Sequence, residues 1–410
     1  MSSHFARAAA LAAACLPALL AAAPLTLDHA LELAVARSQS TRAAESGVAG
    51  AREAAHAASQ LPDPVLQAGI ENLTATGGRA FDPSADSMTQ KVIGVSQEWV
   101  SEDKRAARQA AADAMTARES VVAEVAVAAV RLQTAQAYLD VHYADATLAL
   151  KELMEHHAHE ELETAKGRIS GATGDAQEAL ALMAARGAAA DESDEVRQSR
   201  SVARAALSRW IGESVDETAE PVLPAVPGEE AFVDGAPDVR AARAALELAQ
   251  REATVASKDR SPNWTWQLSY GQRNGYPDMV SVGVSVPFPI KPAERQDRMT
   301  AARQALVDQA DAMLAEARRA ATGEYLALVA EASHLAERIE RVRATVLAPA
   351  QQRTASALAG YRGNTVPLTA LFEARHAEVE AQLKLLELQR QLANTRVRLV
   401  YKPLQEGSAP

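Results

Sequence analysis

The sequence predicts a mainly α-helical protein with a small β part: long antiparallel helical hairpins and four short strands per chain. Three observations predict it. Residues 105–166 run without Gly or Pro. Proline-led alternating stretches recur about 200 residues apart, as a repeated structural unit requires. Gln60-Leu61-Pro62-Asp63-Pro64-Val65-Leu66-Gln67 lines up with Arg260-Ser261-Pro262-Asn263-Trp264-Thr265-Trp266-Gln267. The flanks follow the same order, with Thr41-Arg42-Ala43-Ala44 matching Val239-Arg240-Ala241-Ala242 and Ala137-Tyr138-Leu139 matching Glu324-Tyr325-Leu326.

Composition agrees. The chain is 48% hydrophobic, much of it Ala, and only 4% aromatic, which suits closely packed helices better than a bulky core. A net charge of −11 argues against a nucleic-acid partner, which favours a basic face.

Residues 1–23 read as a signal peptide. Arg7 opens it, Ala8 to Leu20 is the apolar core, and Leu20-Ala21-Ala22-Ala23 offers small residues for cleavage. A buried Ala-rich helix is the alternative. The single cysteine, Cys15, lies here. Ala13-Ala14-Cys15 is one reading as a lipoprotein site; the apolar run continuing to Leu20 favours ordinary cleavage, which leaves a mature chain without disulfides. No later stretch of about 18 apolar residues exists, so no membrane-spanning helix is predicted. A β-barrel crossing stays open.

The first repeat covers 24–211. Leu25 to Gln60 is predicted helical with Asp28 as cap, and Pro62 and Pro64 end it. A hairpin at 64–99 follows: Val65 to Leu73, a Gly- and Ser-containing loop, then Val92 to Trp99. The long run 105–166, about 93 Å as one helix, is predicted to break at Gly167, Gly171 and Gly174 and to return as Asp175 to Trp210. Residues 212–238, with Pro221, Pro224, Pro227 and Pro237, form a linker. The second repeat, 239–400, has a helix to Arg260, a hairpin at 263–288, a long helix from Ala293 to Ala359 with disturbances at Gly323 and Pro349, a turn at Gly360-Tyr361-Arg362-Gly363, and a return from Pro367 to Leu399. Residues 401–410 are a tail.

The second hairpin has the clearest alternation. Trp264, Trp266, Leu268 and Tyr270 alternate with Thr265, Gln267, Ser269 and Gly271; Val280, Val282, Val284, Val286 and Phe288 alternate with Ser281, Gly283 and Ser285. About nine residues of period 2 suit a tilted transmembrane strand, and an apolar row ending in aromatics opposite a small polar row is the outer-membrane barrel pattern. A soluble sheet packed on helices is the alternative. Four strands cannot close alone, and an open edge in lipid costs several kcal/mol per unpaired group. Three copies would supply 12 strands, an even number within the known range.

With these features the chain resembles the TolC-type outer membrane factors of tripartite efflux systems, closest to the heavy-metal CzcC- and CusC-like branch. Tyr361-Arg362-Gly363 followed by Leu371-Phe372-Glu373-Ala374-Arg375 resembles the family's Tyr-Arg-x-Gly and Leu-Asp-Ala-x-Arg turn, with Gly363 one residue early and Glu373 in place of Asp. The resemblance implies a homotrimer with a 12-strand barrel in the outer membrane and a helical tunnel through the periplasm. It implies a gated tip at Tyr361, Arg362, Gly363 and Glu373 and partnership with a periplasmic membrane-fusion adaptor and an inner-membrane RND transporter. Glu373 matches a family position whose carboxylates narrow the pore and attract cations; the position three residues earlier is Ala370, which is not acidic.

Glu155-His156-His157-Ala158-His159-Glu160 lies near the end of the first long helix. His156 with His159 and His156 with Glu160 share a helix face at i, i+3 and i, i+4, a pattern that can hold zinc, cobalt or copper. A solvated polar face is the alternative. No zincin helix, phosphate loop or nucleophile elbow is present, so no enzyme activity and no cofactor is expected. The expected function is a passive exit duct for metal cations. A drug or peptide duct, a soluble coiled-coil scaffold and a periplasmic metal-binding protein are the alternatives.

Overall fold

The computed structural model describes residues 24–171 and 174–404. The signal segment 1–23, and with it Cys15, lies outside the described residues, as does the end of the tail.

The first described elements are α1 (Leu27–Arg37) and α2 (Gln39–Ala58). The sequence predicted one helix here. Ser38 divides it: its extended backbone ends α1, and its hydroxyl accepts from Thr41 N–H at 3.1 Å to cap α2. The cap of α1 is Thr26, which accepts from His29 N–H, and not Asp28, which sits in the first turn. There it still complements the helix dipole.

Strands β1 (Val65–Glu71) and β2 (Gln90–Trp99) form the first hairpin, and β3 (Trp264–Arg273) and β4 (Met279–Ser285) the second. In the first, Leu66 faces Val95 and Ala68 faces Ile93; in the second, Trp266 faces Val284, Leu268 faces Val282 and Tyr270 faces Val280. The two hairpins join through an antiparallel β2–β3 ladder, giving one four-stranded sheet in the order β1-β2-β3-β4. The second hairpin is shorter than predicted because Pro287 and Pro289 end β4 before Phe288.

Between the hairpins run α3 (Glu102–Ser170) and α4 (Ala176–Ile211). At 69 residues, α3 is about 100 Å long. Gly167 does not break it; the helix continues through Gly167 to Ser170 and ends at Gly171. One glycine costs a long helix only about 1 kcal/mol. The predicted linker contains a short helix, α5 (Glu229–Gly235), and Pro237 opens α6 (Pro237–Lys258) at the first helical position, where its missing N–H costs nothing.

After the sheet, α7 (Gln296–Val342) passes through Gly323 undisturbed. The disturbance comes at Pro349. This residue has no N–H for the Thr345 carbonyl, and a π turn at Arg343–Leu347 absorbs the mismatch before α8 (Ala348–Arg362). The last helix, α9 (Leu368–Tyr401), runs beyond the predicted Leu399.

The core is a series of small clusters along these helices. The largest joins α1 to the end of α9: Leu27, Leu31, Tyr138, Leu139, Val141, Leu207, Ile211, Val397 and Tyr401 are all buried together. Each such aliphatic side chain contributes about 1.5–3 kcal/mol by burial. The Tyr138 hydroxyl donates toward two carbonyls, Leu25 at 2.6 Å and Ala219 at 2.7 Å. It thereby fastens the N-terminal segment and the linker, themselves bridged at Leu25 and Thr218, onto α3. Burial pushes the Tyr138 phenol up to about 12.

Candidate functional site

Two places in the fold offer function: the helical tips and the sheet. At the tips, Leu162 and Ala165 of α3, Leu182 of α4, and Leu368 and Leu371 of α9 are buried together, with Tyr361 packed against them. The turns of the two helical hairpins are therefore one packed unit.

The second turn closes by backbone hydrogen bonds. Thr365 N–H donates to Gly360 O at 2.9 Å and Asn364 N–H to Tyr361 O at 3.0 Å. This is the paired pattern of a Schellman C-cap, with Asn364 in the left-handed position at φ 58°. At Gly360 a Cβ would come within 2.5 Å of Val366 Cγ2, so a larger residue there would force the Val366 side chain to shift. Gly363, singled out from the sequence, has an ordinary backbone and would meet nothing closer than 3.5 Å. Sequence reading missed Asn364; the signal was an Asn right after a helix ending in Gly.

Of the predicted tip residues, Tyr361 is half-buried, Arg362 is exposed, and Glu373 is exposed with its carboxylate 3.9 Å from Arg353 of α8. A charge so placed is open to solvent beside one guanidinium. Behind it, the seam between α3 and α9 holds a buried pair. Arg375 Nη1 lies 3.1 Å from Glu161 Oε1, and Glu161 is only 2% exposed. Its second oxygen is buried without a hydrogen-bond partner. Burial raises the Glu161 carboxyl to about 7, against the pull of Arg375.

The predicted metal trio does not assemble. His156 Nε2 is 3.3 Å from Glu160 Oε1, both well exposed. His159 takes no part in that pair, and Glu163, one turn on, pairs with Lys166 at 2.8 Å. Among the described residues no group of three His, Cys, Asp or Glu side chains is placed to hold a metal. Spacings of three and four residues put the side chains on one face without making them converge. The histidine that matters to packing is His157: its Nδ1 is buried without a partner, and burial first, then Arg375, lowers its basicity.

On the sheet, cross-strand pairing draws apolar rows over all four strands. Leu66, Val95, Leu268 and Val282 form one; Ala68, Ile93, Tyr270 and Val280 form the next. The opposite face carries Gln67, Gly94, Ser269 and Ser281 in register, and Gln267 donates to Gln67 there at 3.0 Å. The apolar rows are uncovered, with Leu66 73% and Val282 78% exposed. An uncovered apolar face of this extent on a sheet with two free edges needs another phase or another chain to cover it. Trp99 and Trp264 pair at the end of the sheet nearest the helices, ring centroids 6.0 Å apart.

Residues 232–401 match the family model for outer membrane efflux proteins. Known structures share nearly the whole fold. VceC, an outer membrane protein of Vibrio cholerae, superposes with a TM-score of 0.74 at 17% identity, covering 92% of this chain and 96% of that one. The open-state MtrE outer membrane channel of Neisseria gonorrhoeae gives 0.73 at 16%, over 92% and 88%. CusC, whose structures concern transmembrane channel formation, gives 0.72 at 15%, over 92% of each. This chain has the outer membrane efflux protein fold. No curated protein sequence matches it significantly. Within that efflux-protein fold, the family model falls on the half that carries the Tyr361 turn, and the tips and the uncovered sheet are the two ends of one construction. The likeness to CusC is no stronger than that to VceC.

Proposed function

We propose that this protein is the outer-membrane exit duct of a tripartite efflux system. It works as a homotrimer whose three sheets close into a 12-strand barrel, while the helical hairpins extend into the periplasm toward an adaptor protein and an inner-membrane RND pump. The observation that carries this is the sheet: one face is apolar and exposed, and its two edges, β1 and β4, are unpaired among the described residues. Joining β4 of one copy to β1 of the next satisfies every edge and places the apolar rows in lipid. The duct is passive, and transport energy comes from the pump.

For the cargo, the exposed carboxylate of Glu373 at the tip and the negative net charge support passage of cations, and we take heavy-metal cations as the substrate class. The test has two parts. Membrane fractionation with cross-linking of full-length protein should recover a trimer in the outer membrane; a soluble monomer would refute the duct. Conductance in planar bilayers should be cation-selective, and Glu373→Gln should reduce that selectivity. An anion-selective pore, or unchanged selectivity in the variant, would refute the cargo reading alone.

A further inference from the structure

Beside the end of β4 lies a cleft of about 680 Å³ that the duct reading does not use. Its walls come from α3, α6, the residues after β4, and the start of α7. Arg108, Arg260, Arg295 and Arg303 line it with Phe288. Among the described residues, two acids line it, Glu252 and Asp259.

The arginines are unequally neutralised. Arg303 lies 2.7 Å from Glu252, Arg108 3.6 Å from Asp259, and Arg260 2.9 Å from Asp297. Arg295 is exposed and has no ion pair or hydrogen bond through its side chain among the described residues. The cleft therefore keeps an excess of positive charge open to solvent.

Its position matters as much as its charge. Val280, Val282 and Val284 stand on the apolar face of β4, and Val286 and Phe288 continue that alternation past the strand's end. Phe288 is 87% exposed, so the apolar row runs into the cleft. The Trp99–Trp264 pair marks the same end of the sheet, the level at which aromatic side chains meet a bilayer surface. An apolar row ending in an aromatic belt and then a guanidinium cluster matches one kind of molecule, acyl chains joined to an anionic head. Guanidinium groups bind phosphate through paired N–H donors.

We propose that this cleft binds the headgroup of an anionic phospholipid of the periplasmic leaflet, with its chains along β4 and its phosphate at Arg295 and Arg303. The proposal rests on the reading of the sheet as membrane-spanning. A competing occupant of the same cleft is a neighbouring copy of the chain.

The test uses full-length protein in vesicles containing acyl-brominated phosphatidylglycerol or acyl-brominated phosphatidylcholine, with tryptophan quenching as the readout. Quenching by phosphatidylglycerol should reach half-saturation at a mole fraction about fivefold lower than by phosphatidylcholine, the worth of one cation near an anionic surface. Arg295→Gln, at an exposed and unpaired position, should remove most of that preference without loss of helicity. Inorganic phosphate should not compete. Equal quenching by the two lipids would overturn the lipid site, as would a preference that survives Arg295→Gln, competition by phosphate alone, or burial of the cleft by cross-links between copies. Quenching by neither lipid would instead refute membrane insertion itself.

Discussion

Lys104, in the first turn of α3, donates to Asn263 Oδ1 at 2.7 Å, just before β3. One residue belongs to the first helical hairpin and the other to the second strand pair, 159 positions later. Lys104 is 4% exposed and also donates to the Ser261 carbonyl, while Asn263 donates to Glu98 at 2.7 Å. The joint between helices and sheet is thus a small polar network with a buried ammonium at its centre. Lys104→Met should remove the charge and strand its partners. We expect a loss of about 1–3 kcal/mol in denaturant unfolding, the cost of unsatisfied buried acceptors. An unchanged midpoint would show the network to be dispensable.

Tyr138 gives a pH signature. Its phenol is held up to about 12 by burial, above the ordinary 10. A raised pKa means that the stability it contributes is whole below pH 10 and is lost as pH rises through about 12. The full loss is about 3 kcal/mol at 1.36 kcal/mol per unit. Tyr138→Phe should cost about 1 kcal/mol at neutral pH and should flatten the alkaline decline between pH 10 and 12, as followed by thermal unfolding.

Glu161 works in the opposite range. Its carboxyl, raised to about 7, contributes stability that is present below its ordinary value and lost as pH rises through neutrality. Arg375 limits that loss. Arg375→Gln should therefore destabilise the protein more at pH 8 than at pH 5, and the difference should disappear in a Glu161→Gln background. His157, whose basicity is lowered, acts in the other direction below pH 6.5, so the comparison is best made with His157→Gln in both backgrounds.

The apolar rows of the sheet make a sharper claim. Leu268→Arg places a cation in the middle of the row shared with Val95 and Val282. At a bilayer midplane this costs about 2–4 kcal/mol per chain. Outer-membrane recovery of the proposed trimer should fall severalfold, whereas Gln267→Arg, on the polar face, should leave it intact. Equal recovery of both variants would contradict lipid exposure of that face.

At the second tip, Asn364→Val should cost about 1–2 kcal/mol because a β-branched residue resists φ 58°. Asn364→Gly should be neutral. Amide exchange across residues 358–368 reports both.

The long helices, the strand faces and the four-strand complement were legible in the sequence, because periodicity over tens of residues or a strict alternation leaves few alternatives. The strand alternation of Trp264 through Tyr270 predicted the face that is in fact uncovered. Single-residue punctuation was less legible. Ser38 divides a helix by capping it, Gly167 fails to divide one because it costs a long helix only about 1 kcal/mol, and the larger cost of Pro349, about 3 kcal/mol, is met by a π turn. The histidines were legible as a cluster but not as a geometry. His156 and His159 share a face, yet the ion pair formed is that of His156 with Glu160, and the buried member is His157. The Glu161–Arg375 pair had no sequence signal at all, since its partners lie 214 residues apart.

The β1 and β4 edges carry a consequence for heredity. Each pairs inward over seven residues and offers its other side to a neighbour. In the proposed ring every seam uses one edge of each kind, so closure is all or nothing. A chain with a sound β1 and a damaged β4 can still join a growing ring, but it cannot let that ring close. Such an allele should be dominant: with equal expression of sound and damaged chains, only the one ring in eight made wholly of sound copies would close.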